Sequence, residues 1–219
     1  MTRRYSLLKS WWLTFCVLVA RVFFWSFYRI KVVGKEHIPE EGGVLIASNH
    51  VSFFDPVLIP SIIMSLRDPE IIYGPAKAEL YRIPVLRQLL FSLGIYPIQR
   101  SGRDVKAMKR TMELLKSNKV MLFPEGSRSM NGQLQKGNRF VGKMVYESKP
   151  VVIPTAVKGT EKALPRGKYF PRLFTRLEVI FGPPLDLTPY YTCPTAKEAA
   201  PLITERIMEA IGQLLQKEK

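Results

Sequence analysis

The chain has 219 residues, 47% of them hydrophobic, which suits one domain with a sizeable core plus an appendage and excludes a disordered polymer. Its 33 lysines and arginines against 18 aspartates and glutamates leave a net charge of +15, which draws anions: nucleic acid, anionic lipid, phosphorylated substrates or an acidic carrier protein. No zinc-finger spacing, aromatic RNA-binding signature or basic-region heptad accompanies that charge, so nucleic acid falls behind lipid and phosphate. Two cysteines, Cys16 and Cys193, in unlike contexts, build neither a disulfide framework nor a metal site and fit a reducing, cytosolic compartment.

Residues 11–28, WWLTFCVLVARVFFWSFY, carry one charge, Arg21, and are flanked by Arg3, Arg4 and Lys9 before and Arg29 and Lys31 after. The run is just long enough to span a bilayer. At about 100° per residue, Ser10, Thr14, Arg21 and Tyr28 form a narrow polar stripe, and Trp11, Trp12 and Trp25 suit the headgroup region. A helix lying in one leaflet with its stripe outward and a helix that spans both fit this pattern. Arg21 inside the run and the lack of a small-x-small site argue against a cleaved signal, so residues 1–29 are expected to be a retained anchor. Residues 30–219 then form the second unit, without an internal repeat.

Short strands are expected at 30–33 and 44–48, separated by the turn PEEGG, and the second runs into NHVSFFDP, residues 49–56. A helix over 56–66 ends at Arg67-Asp68-Pro69-Glu70, and 71–73 reads as a strand leading to GPAKAEL. A helix over 84–93 stops at Gly94, and a strand over 95–98 reaches Gln99 and Arg100. Val105, Met108, Met112 and Leu115 mark an amphipathic helix over 103–117, and 120–123 is an apolar strand that opens into Pro124-Glu125-Gly126-Ser127-Arg128-Ser129. A helix over 139–147, strands over 151–157 and 177–181, and a surface loop over 159–176 follow. Thr195 to Glu198 is a capping box for a last helix, its apolar face Leu202, Ile203, Ile207, Ile211, Leu214 and Leu215. Alternating strands and helices imply an α/β fold, a mixed and largely parallel sheet covered by helices.

His50, one of two histidines, stands five residues before Asp55, and a carboxylate there can hold the ring and stabilise its charged form, making His50 a general base for a hydroxyl. Asp55 before Pro56 is also an ordinary helix start. Ser52 is an alternative nucleophile with no evident geometry to the base. Arg100 and Arg128 offer planar, permanently charged forks for a phosphate, and Gly126 lets backbone approach a ligand closely. Glu125 suits a hydroxyl or an arginine. Loops after parallel strands gather at one edge of a sheet, so these groups can meet. A base, a phosphate clamp and a lipid-facing helix together suggest acyl transfer to a phosphorylated, membrane-borne alcohol.

NHVSFFDP, GIYPIQR, FPEGSRS and VVIPTAV, in that order over residues 30–185, resemble the four motifs of the 1-acylglycerol-3-phosphate acyltransferase family of glycerolipid acyltransferases. The resemblance implies a glycerol-3-phosphate acyltransferase-like fold, His50 as catalytic base, and Asp55 as its orienting partner. It implies further that Arg100, Glu125, Gly126, Ser127 and Arg128 bind the acceptor and its phosphate, Ser127 standing where the family usually has Thr. Lys77 looks like the family's active-site lysine, and Lys136-Gly137 also matches its pattern. Pro97 stands where the second motif usually has Phe. The expected donor is acyl-CoA or acyl carrier protein, the acceptor lysophosphatidic acid, the partner a bilayer, with no metal or other cofactor and no nucleic acid. The catalytic domain is expected on the cytoplasmic face of the membrane. Glycerol 3-phosphate, or another lysophospholipid, is the alternative acceptor, and a non-enzymatic lipid-binding protein the alternative of another class.

Overall fold

The computed structural model describes residues 5–99 and 104–216. Five strands, Arg29–Val33 (β1), Val44–Ser48 (β2), Lys119–Leu122 (β5), Val151–Lys158 (β6) and Arg176–Phe181 (β7), form one sheet in the order β1-β7-β6-β2-β5. All neighbours run parallel except β6 and β7. Gly74–Lys77 (β3) and Ile95–Ile98 (β4) make a parallel ribbon of their own. Tyr73 joins it to the main sheet: its N–H donates to Lys119 O at 2.9 Å and its carbonyl accepts from Met121 N at 2.8 Å. The fold is therefore the expected α/β sandwich.

β2 lies at the centre and is buried along its whole length. Its residues alternate between two cores, as strand geometry requires. Val44 and Ile46 pack with Leu13, Val17 and Phe24 of Leu7–Phe27 (α1) and with Leu58 and Ile59 of Asp55–Ile63 (α2). Leu45 and Ala47 face Val141 and Val145 of Arg139–Ser148 (α5) and Ile203 and Ile207 of Ala196–Gln216 (α7). Pro84–Ser92 (α3) and Val105–Leu114 (α4) flank the ribbon, and Thr160–Ala163 (α6) is a single turn after β6. Thr195 caps α7, its Oγ1 accepting from Glu198 N at 3.3 Å, while the Glu198 carboxylate accepts from the Thr195 hydroxyl at 2.9 Å rather than from its backbone N–H as a full capping box would.

Several expectations need correction. Ile71 and Ile72 are buried but unpaired, and strand pairing starts only at Tyr73, because that apolar run fills the core beneath α1 before it reaches the sheet. α2 stops at Ile63 rather than at residue 66. Val105 and Leu202 are 53% and 44% exposed, so the apolar faces of α4 and α7 are narrower than their spacing suggests. The polar stripe of α1 faces inward. Thr14 Oγ1 donates to Leu66 O at 3.1 Å, and Arg21 donates from Nε to Ser61 O at 2.7 Å and from Nη2 to Met64 O at 2.6 Å. Carbonyls at the end of α2 have no partner within that helix, and a guanidinium there meets both the hydrogen bonds and the negative end of the dipole. Leu8, Trp11, Phe15, Val22 and Trp25 of α1 are left exposed.

Candidate active site

β2 ends at Ser48, and the next side chain continues its hydrogen bonding. Asn49 is buried; its Nδ2 donates to Val157 O at 3.0 Å and its Oδ1 accepts from Val157 N at 2.8 Å. The amide thus holds the chain to β6 for one more step, and His50 is delivered at the carboxyl edge of the parallel strands. The third-motif loop grips the His50 backbone on both sides. His50 N–H donates to Glu125 Oε1 at 2.8 Å, and Ser129 N–H donates to His50 O at 2.8 Å.

His50 Nδ1 lies 2.9 Å from Asp55 Oδ2. A carboxylate only accepts, so Nδ1 carries the proton and the neutral ring keeps its lone pair on Nε2. The imidazole stacks on Phe123 with ring centroids 3.9 Å apart and planes 14° from parallel. The ring is thus held at one nitrogen and across one face, with its side chain still 12% exposed.

Asp55 is fully buried. Its Oδ2 also accepts from the N–H groups of Val51 and Ser52, each at 2.8 Å, and its Oδ1 accepts from Thr160 Oγ1 at 2.6 Å. It opens α2 but turns its side chain back over the preceding loop instead of capping its own helix. Ser52 is buried, its Oγ donating to Leu164 O at 3.0 Å. That removes it as a nucleophile. Thr160, Asn49 and Phe123 had been given no role from sequence. The signal for Thr160 was available: Gly159-Thr160 follows β6 at the same edge, and Gly159 has φ +88°, a conformation that glycine adopts without strain.

Glu125 braces two loops, its Oε2 accepting from Gln135 N at 3.0 Å while Oε1 holds His50. Burial pushes its carboxyl up from the usual glutamate range, against the pull of those two amides. Gly126, with φ +73°, closes a tight turn by donating to Phe123 O at 2.9 Å, and the side where a Cβ would stand is open. Ser127 is half-buried beside it. The Arg128 guanidinium lies 3.5 Å over the Phe53 ring. Lys77 is exposed at the end of β3, and Lys136 is exposed in the loop before α5. A Cβ on neighbouring Gly137 would lie 2.6 Å from Met208 and Thr204, so that loop sits directly on α7. Arg100 lies outside the described residues. His37, the second histidine, donates from Nδ1 to Phe181 O, at the end of β7, at 2.9 Å. Among the described residues no three His, Cys, Asp or Glu side chains come together as metal ligands.

Residues 29–158 match the family model described as Acyltransferase. The chain is 30% identical over 154 residues to a chloroplastic 1-acyl-sn-glycerol-3-phosphate acyltransferase of Arabidopsis thaliana, covering 68% of this chain and 42% of that protein. The 1-acyl-sn-glycerol-3-phosphate acyltransferase of Bacillus subtilis is 27% identical over 192 residues, 86% of this chain and 89% of the relative. The chain thus spans about two fifths of the plant relatives, at 42% and 43%, and most of the bacterial one. The crystal structure of the 1-acyl-sn-glycerophosphate acyltransferase PlsC from Thermotoga maritima shares the fold, with a TM-score of 0.71 over 96% of this chain and 83% of that one, at 22% identity.

Proposed function

The chain belongs to the acyltransferase family, and within it we propose that it transfers a fatty acyl group from a thioester to the sn-2 hydroxyl of 1-acylglycerol 3-phosphate, giving phosphatidic acid. The observation that carries this reading is the His50–Asp55 pair, 2.9 Å apart, with Nε2 left without a hydrogen bond among the described residues. Nε2 takes the proton of the acceptor hydroxyl as its oxygen attacks the thioester carbonyl. Asp55 keeps the ring in the required tautomer and stabilises the imidazolium that forms. Collapse of the tetrahedral intermediate breaks the carbon–sulfur bond, and the imidazolium returns its proton to the departing thiolate.

The amides of Val51 and Ser52 are committed to Asp55, so the developing oxyanion must be met by other donors on this rim. Arg128 and the exposed Lys77 and Lys136 supply positive charge for the acceptor's phosphate. Arg100 is proposed for the same task. The donor is proposed to be acyl-CoA or acyl carrier protein, both acidic partners for a chain of net charge +15. The exposed apolar face of α1 is proposed to lie in the membrane, with the catalytic domain on its cytoplasmic side.

The test is product identification by mass spectrometry, offering purified protein both thioester donors and a panel of lysophosphatidic acid, glycerol 3-phosphate and headgroup-bearing lysophospholipids. Phosphatidic acid should dominate. Preferential acylation of another acceptor would overturn the substrate assignment, and absence of thiol release with every pair would overturn the transferase reading.

A further inference from the structure

We propose that residues 164–175, between α6 and β7, form a second membrane-docking element that seats the mouth of the active site on a leaflet containing anionic lipid. This segment, expected from sequence only as a surface loop, holds the two most exposed aromatic side chains among the described residues, Tyr169 at 92% and Phe170 at 88%, and Phe174 is 68% exposed. Arg166, Lys168 and Arg172 alternate with them. Phe174 also takes φ +60°, a region that bulky residues rarely adopt, for a ring that gains little packing in return.

Both ends of the segment are tied to functional parts. At its start, Leu164 O accepts from Ser52 Oγ at 3.0 Å, and Arg166 Nη1 donates to Arg128 O at 2.9 Å, which fixes it to both loops of the site. At its end, Phe174 N–H donates to Phe27 O, the last residue of α1, at 2.7 Å. The aromatic tip is therefore continuous with the exposed face of α1, where Trp25 and Phe27 are 48% and 39% exposed. Rings that lodge at headgroup depth, interleaved with cations that reach lipid phosphates, are the chemistry of an interfacial segment. An acidic carrier protein would use the cations but leave the rings in water, so the bilayer is the occupant the segment fits.

The test uses the full chain with Tyr169→Ala/Phe170→Ala, two side chains exposed enough that folding is unaffected. Binding to vesicles of phosphatidylcholine with phosphatidylglycerol should fall roughly ten-fold, as loss of partly buried aromatic area predicts. The apparent KM for vesicle-borne lysophosphatidic acid should rise with it, while turnover of a short-chain, monomeric acceptor stays within about two-fold. Because α1 contributes to vesicle binding as well, Phe170→Trp supplies a local readout independent of catalysis. Its added indole, taken as the difference from the parent's three tryptophans, should be quenched by lipids brominated near the headgroup. No extra quenching together with unchanged binding would overturn the proposal. So would an effect confined to the carrier-protein donor, or one that appears only as loss of self-association.

Discussion

Asp55 takes hydrogen bonds from His50, Val51, Ser52 and Thr160, and only the first comes from the ring it orients. The other three hold a fully buried carboxylate in place, and each is a lever on catalysis. Thr160→Val removes the 2.6 Å bond at Oδ1 with little change of volume. Leaving that oxygen short of a donor should cost about 1–3 kcal/mol of stability and lower kcat roughly ten-fold at unchanged KM, with Thr160→Ser restoring both. Full activity in the valine variant would remove Thr160 from the positioning network. Glu125 gives a pH signature. Burial raises its carboxyl, so its contribution to stability is full below the ordinary glutamate range and is lost as pH rises through the folded-state value. The unfolding free energy of the parent relative to Glu125→Gln should therefore increase as pH falls from about 7 to about 4. A constant difference would contradict the raised value. The His50–Asp55 pair was legible because its two members lie five residues apart in the chain. For Thr160 the chain offered only its place just after β6, since 105 residues separate it from Asp55 and folding of β6 beside β2 brings them together.

Periodicity identifies helices more readily than it orients them. The stripe Ser10, Thr14, Arg21 and Tyr28 was legible in α1, yet its direction was set by carbonyls of α2 some 40 residues away. With the polar side turned inward, the exposed surface of α1 is almost wholly apolar, and its buried residues share one core with β2. Arg21→Met should leave the carbonyls of Ser61 and Met64 without their donor and destabilise the chain by about 1–3 kcal/mol, read by thermal unfolding in detergent. An unchanged midpoint would show that water replaces the guanidinium there and that α1 is held by packing alone. The same limit explains the displaced strand. Ile71 and Ile72 have the composition of a strand, but burial without a partner edge does not make one, and pairing begins only at Tyr73, the first residue to meet Lys119 and Met121.

Over the whole molecule, parallel strands β2, β5 and β6 end at one edge, and so do the loops that carry His50, Glu125 and Thr160. Sequence order alone suggested that gathering, because alternating strands and helices place successive loops on the same rim. What it could not supply was which loop braces which: Glu125, read as a substrate ligand, spends an oxygen on each of two backbone amides. The exposed apolar face of α1 and the net charge of +15 are the two whole-molecule features on which the proposed membrane and acidic-donor partners rest. The account rests on proton removal by His50. In the full chain, His50→Ala should lower phosphatidic acid formation from lysophosphatidic acid and a thioester by about 10² to 10⁴, with vesicle binding retained. Turnover within about ten-fold of the parent would show that the hydroxyl is activated by another group and would contradict the mechanism at its centre.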